Sequence, residues 1–181
     1  MSRVETEDVP YGDVPVEPGP GTIRFRRLVT GLDEQGRSVV LEDGPSPHRQ
    51  TVAGVPSFVQ TEFWRHDEVP VDNSGAPDDK VSSPIAITPP AGGSVFRVLE
   101  IPPDSDWDHQ EGYKERMTHA TPSLDYAIVT EGEVWSVMDG NEVLMKAGDV
   151  LVQRGTNHAW SNRSAGRAVV YFILIGGTLA S

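Results

Sequence analysis

Apolar and polar residues alternate with a period of two along many short segments of this chain. In residues 22–29, Ile23 and Phe25 would face one side of an extended strand while Arg24 and Arg26 face the other. Further short segments are rich in β-branched or aromatic residues and are bounded by turn-forming residues, at 38–42, 58–64, 94–101, 125–130, 132–140, 141–146, 149–153 and 168–175. Many short strands separated by turns are typical of an all-β sandwich or barrel.

Two stretches lack this alternation and set the expected organisation of the chain. Residues 1–21 are rich in Pro, Gly and acidic side chains and offer little to bury, so we expect a disordered or loosely draped arm. Residues 67–93 are too polar and Pro-rich for a regular element, which predicts a long irregular loop. A length of 181 residues suits one domain, which we place at 22–181 with its barrel core at about 94–176.

Composition excludes several classes of function. The chain contains no cysteine, so a disulfide scaffold, a thiol nucleophile, a Cys-type zinc site and an iron–sulfur cluster are ruled out. The formal net charge of −12 argues against nucleic acid or an anionic membrane as a partner. No apolar run approaches the ~20 residues of a membrane span, and the acidic start lacks the apolar core of a secretory signal. We therefore expect a cytoplasmic protein.

Two of the five histidines have neighbours that suggest chemistry. His119 begins a stretch in which Asp125 opens an otherwise apolar strand, where an inward-facing carboxylate needs a partner. His158 follows a short apolar strand and a turn at Gly155.

These stretches resemble the paired motifs of the cupin superfamily, whose members are small antiparallel jelly-roll β-barrels. The first motif reads G-x5-H-x-H-x3,4-E-x6-G. This chain has His119 as its first histidine, Asp125 in place of the glutamate, and Gly132 at its end. The second motif reads G-x5-P-x-G-x2-H-x3-N, and residues 155–162 match its last part. The resemblance implies an all-β cupin jelly-roll barrel of short antiparallel strands, with N-terminal strands and a long loop added.

The chain also departs from both motifs. Thr121 stands where the second histidine is expected, Gln153 stands where the proline is expected, and Gly112 lies one residue too far upstream of His119. The wider sequence resembles a little-characterised bacterial cupin group, and this likeness extends over most of residues 22–176. The resemblance is specific for the fold and only suggestive of the reaction, because one fold hosts many functions.

The resemblance implies a metal centre formed by His119, Asp125 and His158. Two histidines and one carboxylate match the facial triad that leaves coordination positions open and suits one divalent Fe, Mn, Ni or Zn ion. Thr121 is a poor ligand, so we assign it to steering a water or a substrate oxygen, with His109 as a further catalytic candidate if its loop folds over the barrel mouth. The alternative is a degenerate site with no metal, in which the histidines line an organic-ligand pocket and Asp125 fixes a tautomer.

Three further residues are candidates for a substrate pocket. Trp160 shares the strand face of His158, so it either lines the pocket or packs inside the barrel. Gln153 and Arg154 precede the turn at Gly155. Arg154 either binds a substrate carboxylate or lies solvated on the surface.

The functional hypotheses come from two classes. The first is a metal-dependent enzyme that acts on a small carboxylate or aromatic, polyketide-like molecule with lyase, decarboxylase, dehydratase or isomerase chemistry. The same site with Fe(II) would instead give a dioxygenase. The second class is a metal-free module that binds a small molecule without catalysis. An exposed barrel edge, and N-terminal strands that cross to a neighbour as in cupins, lead us to expect a homodimer.

Overall fold

The computed structural model describes residues 16–107 and 117–180 of the chain. Within these ranges the chain forms eleven β-strands and one short 3-10 helix at Asp104–Asp106, which confirms the predicted all-β class. The strands are β1 (Arg26–Leu32), β2 (Ser38–Pro45), β3 (His48–Val52), β4 (Val55–His66), β5 (Ser94–Ile101), β6 (Ser123–Glu131), β7 (Glu133–Met138), β8 (Glu142–Lys146), β9 (Val150–Arg154), β10 (His158–Ser161) and β11 (Ala168–Gly176). In the described part of the chain, no helix is long and apolar enough to cross a membrane.

The strands form three antiparallel sheets. A six-stranded sheet has the order β3-β4-β5-β11-β6-β9, a three-stranded sheet has the order β10-β7-β8, and β1 pairs with β2. The main apolar core includes Val129 and Val170 from the large sheet and Val134 and Met145 from the three-stranded sheet. These two sheets therefore share one core, as the alternation of inward apolar residues requires.

The outer face of the large sheet is covered by the segment that precedes β1. Ile23 and Phe25 pack there against a second apolar cluster that contains Phe63 and Val98. The Ile23 backbone N–H donates to both carboxylate oxygens of Glu100, at 3.0 and 2.9 Å. Most of the predicted N-terminal arm lies outside the described residues. In its described end, residues 16–21, the Val16 carbonyl accepts from Thr51 of β3 and the Gly19 N–H donates to Pro56 of β4.

The segment between β4 and β5 contains no strand, and side chains of the large sheet hold it in place. Gln50 uses its whole amide on Ile85, accepting from the backbone N–H at 2.8 Å and donating to the carbonyl at 3.2 Å. Arg97 donates to the carbonyls of Ala86 and Ile87, both at 2.9 Å. The long loop predicted at 67–93 is therefore held against the large sheet by these hydrogen bonds. Its composition did not indicate this attachment.

Candidate functional site

A cavity of about 90 Å³ with an open mouth lies between the sheets. Most of its wall is apolar, and its polar groups are few. The apolar lining consists of Val52, Ala53, Phe58, Ile87, Leu99, Met117, Trp160, Phe172 and Leu174. The polar lining consists of Gln60, Arg97, His119, Thr121, Asp125 and His158. A concave apolar site with a few convergent polar groups is the usual form of a small-molecule pocket.

His119 and His158 form a pair at this cavity. Their backbones hydrogen-bond to each other in both directions, with both N···O distances 2.9 Å, and their ring centroids lie 4.6 Å apart. The Nδ1 atom of His119 lies 2.9 Å from the carbonyl oxygen of Met117, and Nδ1 of His158 lies 2.9 Å from that of Thr156. Because a carbonyl oxygen only accepts, each Nδ1 carries the proton and each Nε2 keeps its lone pair.

Burial keeps both imidazoles neutral near pH 7. Burial, with the neighbouring His158 ring, lowers the pKa of His119 to about 4. Burial also lowers the pKa of His158, although the hydrogen bond to the Thr156 carbonyl opposes this shift. Two neutral rings therefore offer acceptor nitrogens, which suits either a proton acceptor or a metal ligand.

Asp125 lies on the inner face of β6 and is only 4% exposed. Burial raises the pKa of its carboxyl, while the hydroxyl of Ser123 and the charge of Arg97 work in the opposite direction. One carboxylate oxygen, Oδ1, has no hydrogen-bond partner among the described residues. Beside it, Ser123 Oγ donates to Thr121 Oγ1 at 2.8 Å, so that hydroxyl pair forms part of the same polar patch.

A buried ion pair lies at the cavity wall, where only its Arg97 member lines the cavity. Arg97 Nη2 lies 3.0 Å from Glu62 Oε2, and both side chains are at most 5% exposed. Burial raises the pKa of Glu62, and Arg97 is the main opposing influence. We did not predict either residue as functional. The sequence did contain a signal for an inward position of Glu62. Phe58, Gln60 and Glu62 lie two positions apart along β4, so all three share the face of the core residue Phe58.

The structure places the other predicted site residues as follows. Thr121 and Trp160 line the cavity, and the Trp160 ring packs edge-to-face on Phe172 with centroids 5.3 Å apart. Gln153 is buried but donates its amide to Thr156 and does not line the cavity. The side chain of Arg154 is exposed and does not line it either. His109 lies outside the described residues.

The metal triad is assembled only in part. His119 and His158 are adjacent and present the nitrogen atoms that a metal ion needs, and Asp125 brings an unpartnered carboxylate oxygen to the same cavity. Among residues 16–107 and 117–180, however, no three His, Asp or Glu side chains are grouped closely enough to hold a metal ion. The triad therefore stays a prediction.

The sequence is similar to those of cupin-domain proteins. The sequence model of a family described as "Cupin domain" matches residues 107–174. Phomopsin biosynthesis cluster protein C' of Diaporthe leptostromiformis is 41% identical over 144 residues, which span 76% of this chain and 70% of that protein. The cupin-domain-containing oxidoreductase fogC of Aspergillus ruber is 33% identical over 150 residues, 80% of this chain and 68% of the relative. Among solved structures, a Cupin 2 conserved barrel domain protein from Salinispora arenicola superposes with a TM-score of 0.38 and 14% identity, over 65% of this chain and 75% of that one.

Proposed function

Because the chain belongs to the cupin family, we propose that it is an enzyme that transfers protons on a small organic molecule held in the cavity between its sheets. The reaction is of the lyase, decarboxylase, dehydratase or isomerase type, in which a proton is added or removed next to a carbonyl or enol. The observation that supports this proposal is the pair of Nε2 acceptors on His119 and His158, beside the buried carboxyl of Asp125, in an otherwise apolar cavity.

The histidine pair supplies the base. An Nε2 atom that faces substrate can take a proton, and the Nδ1–H of the same ring then continues to donate to a backbone carbonyl. That hydrogen bond stabilises the imidazolium that forms, because a carbonyl dipole interacts more strongly with a charged donor. Asp125 is the partner that returns or receives the second proton, since burial raises the pKa of its carboxyl.

The cavity wall indicates the kind of molecule that fits. Trp160 and Phe172 offer aromatic faces and edges, and Leu99 and Ile87 add aliphatic surface. The polar groups are a minority of the lining residues. The substrate is therefore a largely apolar, ring-containing or polyketide-like molecule with one oxygenated edge.

Dependence on a metal ion is a further part of the proposal. His119 and His158 would hold one divalent Fe, Mn, Ni or Zn ion through Nε2, with Asp125 as the nearest carboxylate candidate. When bound, such an ion supplies a Lewis acid that polarises a substrate oxygen. The two anchored Nδ1–H groups support this part, because metal-binding histidines commonly donate their other ring nitrogen to a carbonyl.

A dioxygenase is the second candidate function. Several relatives, among them fogC, are named cupin-domain-containing oxidoreductases, which favours this function. Oxygen consumption by the Fe(II)-loaded protein, measured with an electrode in the presence of aromatic and carboxylate compounds, tests this alternative directly.

Hydrogen–deuterium exchange tests the proton-transfer proposal. A panel of enolisable aromatic ketones such as 2-tetralone is incubated with the protein in D₂O, and loss of the α-proton signals is followed by ¹H NMR. We expect exchange with the wild type, loss of exchange in His158→Gln and Asp125→Asn, and no change in the control His66→Gln. Saturation-transfer signals that show binding without exchange would favour the metal-free binding module, and the absence of any binding would contradict a ligand site in this cavity.

A further inference from the structure

The hydrogen-bonding groups at the cavity are unevenly divided between donors and acceptors. Both histidine Nδ1–H groups are already donated to backbone carbonyls, so the rings present only acceptor nitrogens to a ligand. Asp125 adds a carboxylate oxygen with no partner in the described ranges.

The strongest donor at the cavity is largely committed elsewhere. Arg97 directs its terminal N–H groups to the carbonyls of Ala86 and Ile87 and to the carboxylate of Glu62. These contacts pair its charge and hold the loop, while its buried Nε–H has no partner among the described residues. With the two histidine Nε2 atoms and Asp125 Oδ1, acceptors still outnumber this donor, and unmatched acceptors in an apolar cavity are unfavourable until a ligand supplies donors.

The same cavity is lined by rings that meet edge to face. The Trp160 ring is inclined at 73° to the Phe172 ring, with centroids 5.3 Å apart, and at 79° to the His158 ring, with centroids 6.2 Å apart. Such walls present both ring faces and ring edges, to which a flat aromatic ligand is complementary.

We propose that the ligand is a hydroxylated aromatic compound, whose phenolic O–H donates to the carboxylate of Asp125 while its ring packs against Trp160 and Phe172. A phenol satisfies both features, since it is a stronger donor than an aliphatic alcohol and brings the ring that the wall accommodates. This inference rests on the proposed function, because it names the substrate class of the same cavity. A metal ion held by the two histidines without Asp125 would leave the assignment to Asp125 unchanged.

Two probes that differ only in the donor test the inference. The affinities of 4-propylphenol and its methyl ether, 4-propylanisole, are measured by isothermal titration calorimetry with the protein as purified. We expect the phenol to bind roughly 10- to 100-fold more tightly, as a hydrogen bond to a charged acceptor implies. This ratio should fall close to one in Asp125→Ala, return in part in Asp125→Asn, and stay unchanged in Glu34→Gln, which removes an exposed carboxylate.

Each of the other possible results would overturn a named part of the inference. Equal affinities in the wild type would overturn the inference, even if Asp125→Ala does not fold, while α-proton exchange of the ketone probes would leave the proposed function standing. An unchanged ratio in a folded Asp125→Ala would overturn the assignment to Asp125. If neither probe binds, the inference is overturned and the cavity is no longer supported as the substrate site.

Discussion

His119 and His158 are joined backbone to backbone, by two hydrogen bonds of 2.9 Å that run in opposite directions. The main chain therefore brings the imidazoles together, and their side chains are free to serve another purpose. Because the bridge uses no side-chain atom, replacing either ring should leave the local backbone pairing in place. Substitutions at these two positions are thus suitable for separating chemistry from folding.

Metal content should depend on His158 if the pair holds an ion. In protein purified without a His tag, we expect close to one divalent transition metal per chain by mass spectrometry, and loss of that metal in His158→Ala. Removing one of a few ligands weakens a site severely. The control is His66→Ala, because the His66 ring hydrogen-bonds to Ser94 instead. Metal that is absent from the wild type, or that persists in His158→Ala, would count against the metal-dependent proposal.

Gln50 should control the order of the loop between β4 and β5. Its amide satisfies both backbone groups of the buried residue Ile85, so Gln50→Ala leaves a donor and an acceptor without their partner. We expect a loss of about 2 kcal/mol in the free energy of unfolding, measured with urea, because each orphaned group is costly. Limited proteolysis within 67–93 should become faster.

The exposed residue Gln35 offers the matched control for this experiment. Gln35→Ala should change neither the stability nor the cleavage rate. Equal cleavage of wild type and Gln50→Ala would show that the loop is held by other contacts.

The pH dependence of stability should include a contribution from Glu100. Burial raises the pKa of this carboxyl above its ordinary value of 4.5, and Arg167 only partly offsets the shift. The folded state therefore retains the proton to higher pH than the unfolded state. The associated stability is fully present below about pH 4.5 and is lost as the pH rises through the folded pKa.

Glu100→Gln isolates that contribution, because a neutral amide oxygen can still accept from the Ile23 N–H. Relative to wild type, the variant should gain stability as the pH rises from 4 to 8, on the order of 1 kcal/mol at the upper end. Thermal unfolding at a series of pH values measures the difference, with Glu34→Gln as the exposed control. A difference that does not vary with pH would contradict the assignment.

The sequence predicted the strands well because period-two alternation is a local signal. Ile23 and Phe25 show this alternation and both pack on the sheet, although the strand predicted at 22–29 begins only at Arg26. The motif positions also led to His119, Asp125 and His158, which the fold brings to one cavity.

Local patterns were less informative where a side chain reaches a distant partner. The hydrogen bond between Gln50 and the long loop joins positions 35 residues apart, and those from Arg97 join positions 10 and 11 residues apart. The composition of the loop does not predict these contacts. Gln153 shows the opposite case, in which a near neighbour in the sequence satisfies an inward-facing polar side chain. It pairs across the strands with Asp125 and faces inward, but Thr156 in the following turn accepts its amide before a ligand can.

The buried pair of Arg97 and Glu62 should show strong thermodynamic coupling. Arg97→Met leaves Glu62 buried without its cation, which we expect to cost about 3–5 kcal/mol of unfolding free energy. Glu62→Met in turn leaves the Arg97 charge unpaired, with a loss of similar size. The double variant removes both charges and should recover much of this loss, although the two hydrogen bonds from Arg97 to the loop remain absent. Urea unfolding of the four proteins gives the coupling free energy as a double-mutant cycle. Strictly additive losses would mean that Arg97 stabilises the fold through the loop carbonyls and not through Glu62.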